Sequence, residues 1–233
     1  MNRKQFLALA AGGAAAAWTA QGNAQARAQG ELVQTSSEWN PDRFRSVAAR
    51  PGRYKQVYDI TVIGGGVFLN NVKNSLNGLQ FGFGIKPRQM NILVALHGGA
   101  NLLNFDDAMW AKYKLGEYAG VADPESHAPA ARNIFYPQSR GPLSTEIEND
   151  HSTYQDHSIQ GLMKRGVSFL LCHTATEEQS RKLKARLRLT ASPESIARDL
   201  LAHTIPGAIV VPSMVAAVAL LQIEYQFSYI TVA

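Results

Sequence analysis

The sequence predicts an α/β domain: a three-layer sandwich around a mostly parallel five-stranded sheet. Three observations predict it. Short β-rich runs alternate with amphipathic segments of helical period along most of the chain. The central runs are continuously apolar, as strands covered on both faces are. The connections between runs are long enough for the helical crossovers that parallel strands need.

The first strand is read at Tyr58-Asp59-Ile60-Thr61-Val62-Ile63, followed by the flexible Gly64-Gly65-Gly66. Val72, Leu76 and Leu79 then recur at helical spacing, with Asn and Lys on the other face. Asn91-Ile92-Leu93-Val94-Ala95-Leu96 is the second strand and ends at His97-Gly98-Gly99. Residues 105–155 break the rhythm. Trp110, Tyr113, Tyr118 and several prolines sit there among acids and histidines, over a length too great for an ordinary connection. They read as an insertion, helical near residues 106–118 and irregular after. A helix carrying Ile159, Leu162 and Met163 inward stops at Gly166, a residue suited to the left-handed cap. Val167-Ser168-Phe169-Leu170-Leu171 is the third strand, with Cys172 directly after it.

Glu177 and Glu178 open the next helix, and basic residues from Arg181 to Arg188 close it, the order favoured by the helix dipole. Ser192-Pro193-Glu194 starts another helix, with Ile196, Leu200 and Leu201 inward. Ala208-Ile209-Val210-Val211 is the fourth strand, a helix runs from Ser213 to about Gln226, and Tyr229-Ile230-Thr231-Val232 is the last strand. The apolar stretch 208–223 is interrupted by Pro212 and Ser213, so a strand and a buried helix explain it better than a membrane span.

At the amino end, Arg3 and Lys4 precede an apolar run over residues 6–20, and Ala24-Gln25-Ala26 offers a cleavage site. Residues 1–28 therefore read as a signal peptide, twin-arginine-like with lysine in the second position, and the chain as exported to the periplasm. Residues 29–54 are polar and read as an irregular leader to a domain at 55–233. The formal charge of +5 falls to +3 without Arg3 and Lys4 and to +2 without Arg27, too mild a balance to argue for nucleic acid. A single cysteine excludes an internal disulfide.

Ligands of an open parallel sheet bind outside the carboxyl ends of its strands. The candidate site residues are accordingly Cys172 and His97 as the reactive pair, with Gly98, His173 and Thr174 beside them. A helix beginning near Thr176 would favour a thiolate, and a histidine supplies a proton or takes one. Equally, a free cysteine often serves as a small buried hydrophobe, and His97 as a strand terminator. The glycines after the first strand do not continue into a dinucleotide fingerprint, because Leu69 stands at its third glycine position and no acid lies about 20 residues on. No nucleotide cofactor is expected. His127, His151 and His157, with Glu146, Glu148, Asp150 and Asp156, have metal-ligand chemistry but no tight ligand spacing, so no metal is assigned.

Five segments together resemble the DsrE/DsrF-like proteins, a family linked with bacterial sulfur metabolism. They are Asn70-Asn71-Val72-Lys73-Asn74; Ile92-Leu93-Val94-Ala95-Leu96-His97-Gly98; Gly166-Val167-Ser168-Phe169-Leu170-Leu171-Cys172-His173-Thr174; Pro206-Gly207-Ala208-Ile209-Val210-Val211-Pro212; and Leu220-Leu221-Gln222 on to Tyr229-Ile230. The resemblance spans residues 57–233 apart from the insertion. It implies a flavodoxin-like, DsrE-like fold, a sulfur-handling role for Cys172, and self-association as trimers or larger rings. In place of the Arg- and Ala-rich sequence that follows the cysteine in sulfur-relay members stands His173-Thr174-Ala175-Thr176-Glu177-Glu178. The function expected is an exported DsrE-like protein binding or carrying a sulfur species, or another small ligand, on Cys172. The alternative is a non-enzymatic ligand-binding or assembly module in which Cys172 is structural.

Overall fold

The computed structural model describes residues 38–137 and 157–232. The expected signal peptide lies outside these residues, as do the start of the leader and the acidic part of the insertion. The strands are β1 (Tyr54–Ile60), β2 (Met90–Leu96), β3 (Ser168–Cys172), β4 (Ile209–Val211) and β5 (Ser228–Thr231). They form one sheet in the order β4-β3-β2-β1-β5. Every pairing is parallel, so the sheet is wholly rather than mostly parallel.

Crossovers between parallel strands are right-handed, so the direction of each step decides which face its helix covers. From β1 through β4 the chain always steps the same way. Helices α2 (Val67–Asn77), α5 (Ile159–Lys164), α6 (His173–Leu187) and α7 (Pro193–Ala202) consequently pack on one face. There Leu69, Val72, Leu162, Leu183 and Leu200 meet Ile60, Val94, Leu96, Phe169 and Leu171. After β4 the chain turns back past three strands to reach β5. Helix α8 (Met214–Ile223) therefore lies on the opposite face, where Met214, Ala217 and Leu221 meet Val57, Leu93, Leu170 and Val211. This order differs from the 2-1-3-4-5 of flavodoxin-like sheets and corrects that expectation. The reversal comes after β4, so the switch in helix face falls between β3 and β4.

The leader is not irregular throughout. Helix α1 (Pro41–Ala48) starts at Asn40, whose side chain accepts the N–H groups of Asp42 and Arg43, with proline in the first turn. Phe44 and Ala48, four residues apart, are its buried contacts with the α8 side of the core. That stripe is too short to stand out among arginines. Strand β1 also begins four residues before its apolar run, at a segment where Lys55 and Gln56 are only half covered.

The described part of the insertion belongs to the core. In place of one helix it holds α3 (Asp107–Lys112) and α4 (Leu115–Ala119), separated by Lys114 at φ 49°. Trp110 is fully buried, donates to the Leu102 carbonyl, and joins the main core cluster with Tyr113, Leu115 and Ala130. Gly116 packs directly on the backbone of Ala130. A methyl group at Gly116 would overlap the Ala130 nitrogen and carbonyl, whereas one at Gly78 would meet nothing within 4 Å. In urea denaturation Gly116→Ala is expected to lose about 2 kcal/mol of stability. Gly78→Ala, at a helical φ of −58°, is expected to gain about 0.5–1 kcal/mol.

Candidate functional site

Cys172 is the last residue of β3 and pairs in register with Val211, the last residue of β4. The chain leaves β3 for α6 on one face and leaves β4 for α8 on the other. Cys172 thus stands at the topological switch point, where open parallel sheets form their ligand crevice. Helix α6 begins at His173, earlier than Glu177 as the charge pattern suggested, and Cys172 is its cap residue. The thiol sulfur accepts the N–H of Ala175 in the first turn of α6 and the N–H of Met214 at the start of α8, each at 3.4 Å. Two helix amino ends converge on one sulfur.

A buried amide fixes this corner. Asn101 accepts the backbone N–H of Cys172 at 2.9 Å and donates to Thr176 Oγ1 and Gln179 Oε1. Thr176 in turn donates to the Cys172 carbonyl, and Gln179 to the carbonyl of Gly98. Gly98 lies at φ 52°, and a Cβ there would press on the Thr61 carbonyl oxygen, so glycine is required for the close approach. Thr174 donates through both its N–H and its hydroxyl to the Pro212 carbonyl, sewing the β3 and β4 loops together. Gly98 and Thr174 therefore brace the loops on either side of Cys172.

His97 follows Leu96 on β2, and Cys172 follows Leu171 on β3, the two leucines being paired. By the alternation of a strand, both residues lie on the α8 side of the sheet at its carboxyl edge. Their hydrogen bonds run in different directions. His97 Nε2 is 2.7 Å from Asp59 Oδ1, and the Tyr229 hydroxyl donates to Asp59 Oδ2 at 2.7 Å. A Tyr229–Asp59–His97 chain thus crosses β5, β1 and β2 toward Cys172. The bond to Asp59 is the chief reason the Tyr229 phenol sits above its usual pKa. His173 pairs with carboxylates rather than with the sulfur. It is buried, with Nε2 2.6 Å from Glu38 and Nδ1 3.1 Å from Glu177. Burial lifts the Glu177 carboxyl above the ordinary range, against the pull of His173 and Arg181.

Burial also decides the thiol. At 5% exposure, Cys172 is pushed above the ordinary thiol pKa, and Glu178 adds to the rise. The N–H groups of Ala175, Met214 and Thr174 oppose the shift without cancelling it. Helix amino ends alone would favour a thiolate.

Asp59, Asn101, Gln179 and Tyr229 are site residues that the sequence reading missed. Asp59 and Asn101 had a signal, since each is a polar residue within an apolar run. Gln179 and Tyr229 had none. Among the described residues no three His, Cys, Asp or Glu side chains are grouped to hold a metal ion. His127 occupies an exposed turn at φ 59°. His151, Glu146, Glu148, Asp150 and Asp156 lie outside the described residues.

These features define a three-layer α/β protein with one cysteine at the switch point of a five-stranded parallel sheet. Neither family models, curated proteins nor solved structures give a match to this chain.

The raised pKa has a kinetic consequence, because only the thiolate alkylates. Below its folded pKa, Cys172 carries less thiolate than in the unfolded chain. Its iodoacetamide rate near pH 8 is expected to be lower in the folded protein than in urea, and the folded pH–rate midpoint to lie at higher pH.

Proposed function

We propose that this chain is an exported, DsrE-like protein that holds a sulfur species on Cys172, with His97 as the neighbouring proton carrier. The observation that carries the reading is the convergence of the Ala175 and Met214 N–H groups on the Cys172 sulfur at the switch point. A sulfur anion on this residue meets donors and two positive helix ends already in position.

The reaction is exchange with a donor persulfide. The Cys172 thiol gives up its proton, and its sulfur attacks the outer sulfur of the donor. A new S–S bond forms on Cys172 as the donor's S–S bond breaks. The donor leaves as a thiolate and takes up the proton. Nothing is oxidised or reduced overall. His97 is suited to carry that proton, since Asp59 holds its Nε2 while Nδ1 bonds to no described residue. The low exposure of Cys172 makes loading depend on local opening of the seam between Thr174 and Pro212.

Incubation of the folded protein with polysulfide is expected to add 32 Da to the wild-type chain and nothing to Cys172→Ser. The burial of the sulfur and its raised pKa favour a second reading, a ligand-binding or assembly module in which Cys172 only packs. On that reading the folded chain gains no mass while the urea-unfolded chain does, and that result would overturn the first.

The DsrE-like reading also carries self-association. Helix α8 is apolar apart from Gln222, and a helix apolar all round is normally covered on all sides. Its outer face exposes Val215, Leu220 and Ile223. Light scattering of the wild type is expected to give a trimer or a multiple of it, and Val215→Glu with Ile223→Glu to give a smaller species.

A further inference from the structure

The described part of the leader starts at the Cys172 corner and crosses the α8 face of the sheet to the opposite edge. At that far edge it is pinned by neutral groups. Arg50 donates to the Gly166 carbonyl and the Ser168 hydroxyl, and Asn91 donates to the Val47 carbonyl. Midway, Phe44 and Ala48 of α1 lie in the same buried cluster as Cys172, Ala175, Val211 and Met214. Glu38, Trp39 and Arg43 share a groove with Ile209 and Val210 of β4, the strand that ends the sheet. At the carboxyl edge the leader is tied by charge instead. Glu38 pairs at 2.6 Å with His173, the residue after Cys172 and 135 positions away. We propose that the leader is a proton-dependent strap, latched to His173 through Glu38 over the Cys172 corner and released when the latch loses one proton.

The proton count follows from the geometry. His173 has a carboxylate at each ring nitrogen, Glu38 at Nε2 and Glu177 at 3.1 Å from Nδ1. A neutral imidazole carries one N–H and donates to one of them only. The other nitrogen would then face a carboxylate oxygen, lone pair against lone pair. Nδ1 and the facing Glu177 oxygen are both buried and have no other hydrogen-bond partner among the described residues. A second proton, on the imidazole or on Glu177, satisfies both contacts at once. Burial first, and the Glu38 charge after it, favour keeping that proton at Glu177, against the pull of His173 and Arg181. Arg181 stands one turn beyond Glu177 on α6, and Arg43 lies beside Glu38 in the groove. Asp42 and Arg45 pair with each other in solvent, and residues 209–223 hold no charged side chain. Glu38 is the group free to leave, its side chain being 24% exposed against 3% for His173 and 10% for Glu177. With the strap open, Nε2 meets water and a single N–H to Glu177 is enough. The closed strap therefore binds one proton more than the open strap, so rising pH favours opening.

The device rests on the proposed reading of Cys172 for its use, which is to admit a sulfur donor to a covered thiol, while the latch is read without sulfur chemistry. Hydrogen exchange of the whole protein, corrected for the intrinsic pH dependence of amide exchange, follows α1 from about pH 6 to about pH 9. Protection of α1 in the wild type is expected to fall by at least about tenfold over that range. The amides of α7, on the other face, are expected to keep theirs. Glu38→Ala is expected to show the low protection of α1 at every pH. At a single pH it is expected to let iodoacetamide label Cys172 at least about tenfold faster than in the wild type. Wild-type protection of α1 that stays flat with pH, or that Glu38→Ala leaves unchanged, would overturn the proposal. So would unchanged labelling of Cys172 in Glu38→Ala, or an equal loss of protection in α7, which marks global unfolding rather than a strap. Polysulfide failing to load Cys172 while exchange and labelling respond as expected would strike the sulfur reading and leave the strap standing.

Discussion

The right-handed crossover between parallel strands is the constraint from which the remaining geometry follows. Four strands laid down in one direction place their helices on one face, and a single reversal after β4 sends α8 to the other. That reversal sends the chain to opposite faces from the paired ends of β3 and β4, and the amino ends of α6 and α8 meet there at the Cys172 sulfur. Had the chain reversed after β2, as flavodoxin-like sheets do, the same cysteine would cap a strand whose neighbours leave on its own side.

The carboxyl edge is held by polar side chains that do not reach water. Asn101 is fully buried, and its hydrogen bonds tie the end of β3 to Thr176, the fourth residue of α6, and to Gln179 beyond. An unpaired group in such a network loses its solvation with nothing in return, so the network is stable only when complete. This gives the loop after β2 one position and aligns the Ala175 N–H with the sulfur. The same low-polarity surroundings that strengthen these bonds raise the thiol pKa. Burial and helix ends thus act on Cys172 in opposite directions, and burial wins.

The two edges of the sheet differ in electrostatic character. The carboxyl edge collects carboxylates beside histidines, in the pairs Asp59–His97 and Glu38–His173. The amino edge collects cations around an apolar cavity with no acid among its described lining. Helix carboxyl ends and strand starts share that second edge, so basic side chains there are stabilised by backbone carbonyls.

Much of this protein was legible in the residues. Apolar or β-branched runs marked all five strands, those of β2 and β3 being continuous because burial on both faces leaves no room for alternation, and Gly166 marked the end of α5 because its φ of 91° favours glycine. Cys172 at the end of a strand was legible for the same local reasons. Helix α1 was not, since two buried contacts make too weak a period. Strand order was not either, because it is set by which helix faces can be covered together. From that order come the switch point at Cys172, the Tyr229–Asp59 bond between residues 170 positions apart, and the gathering of Arg50, Arg88, Lys164 and Arg165 around one space. Local pattern determined the elements and their ends. Only the tertiary structure decided what meets at those ends, because contacts between distant residues leave no period in the chain.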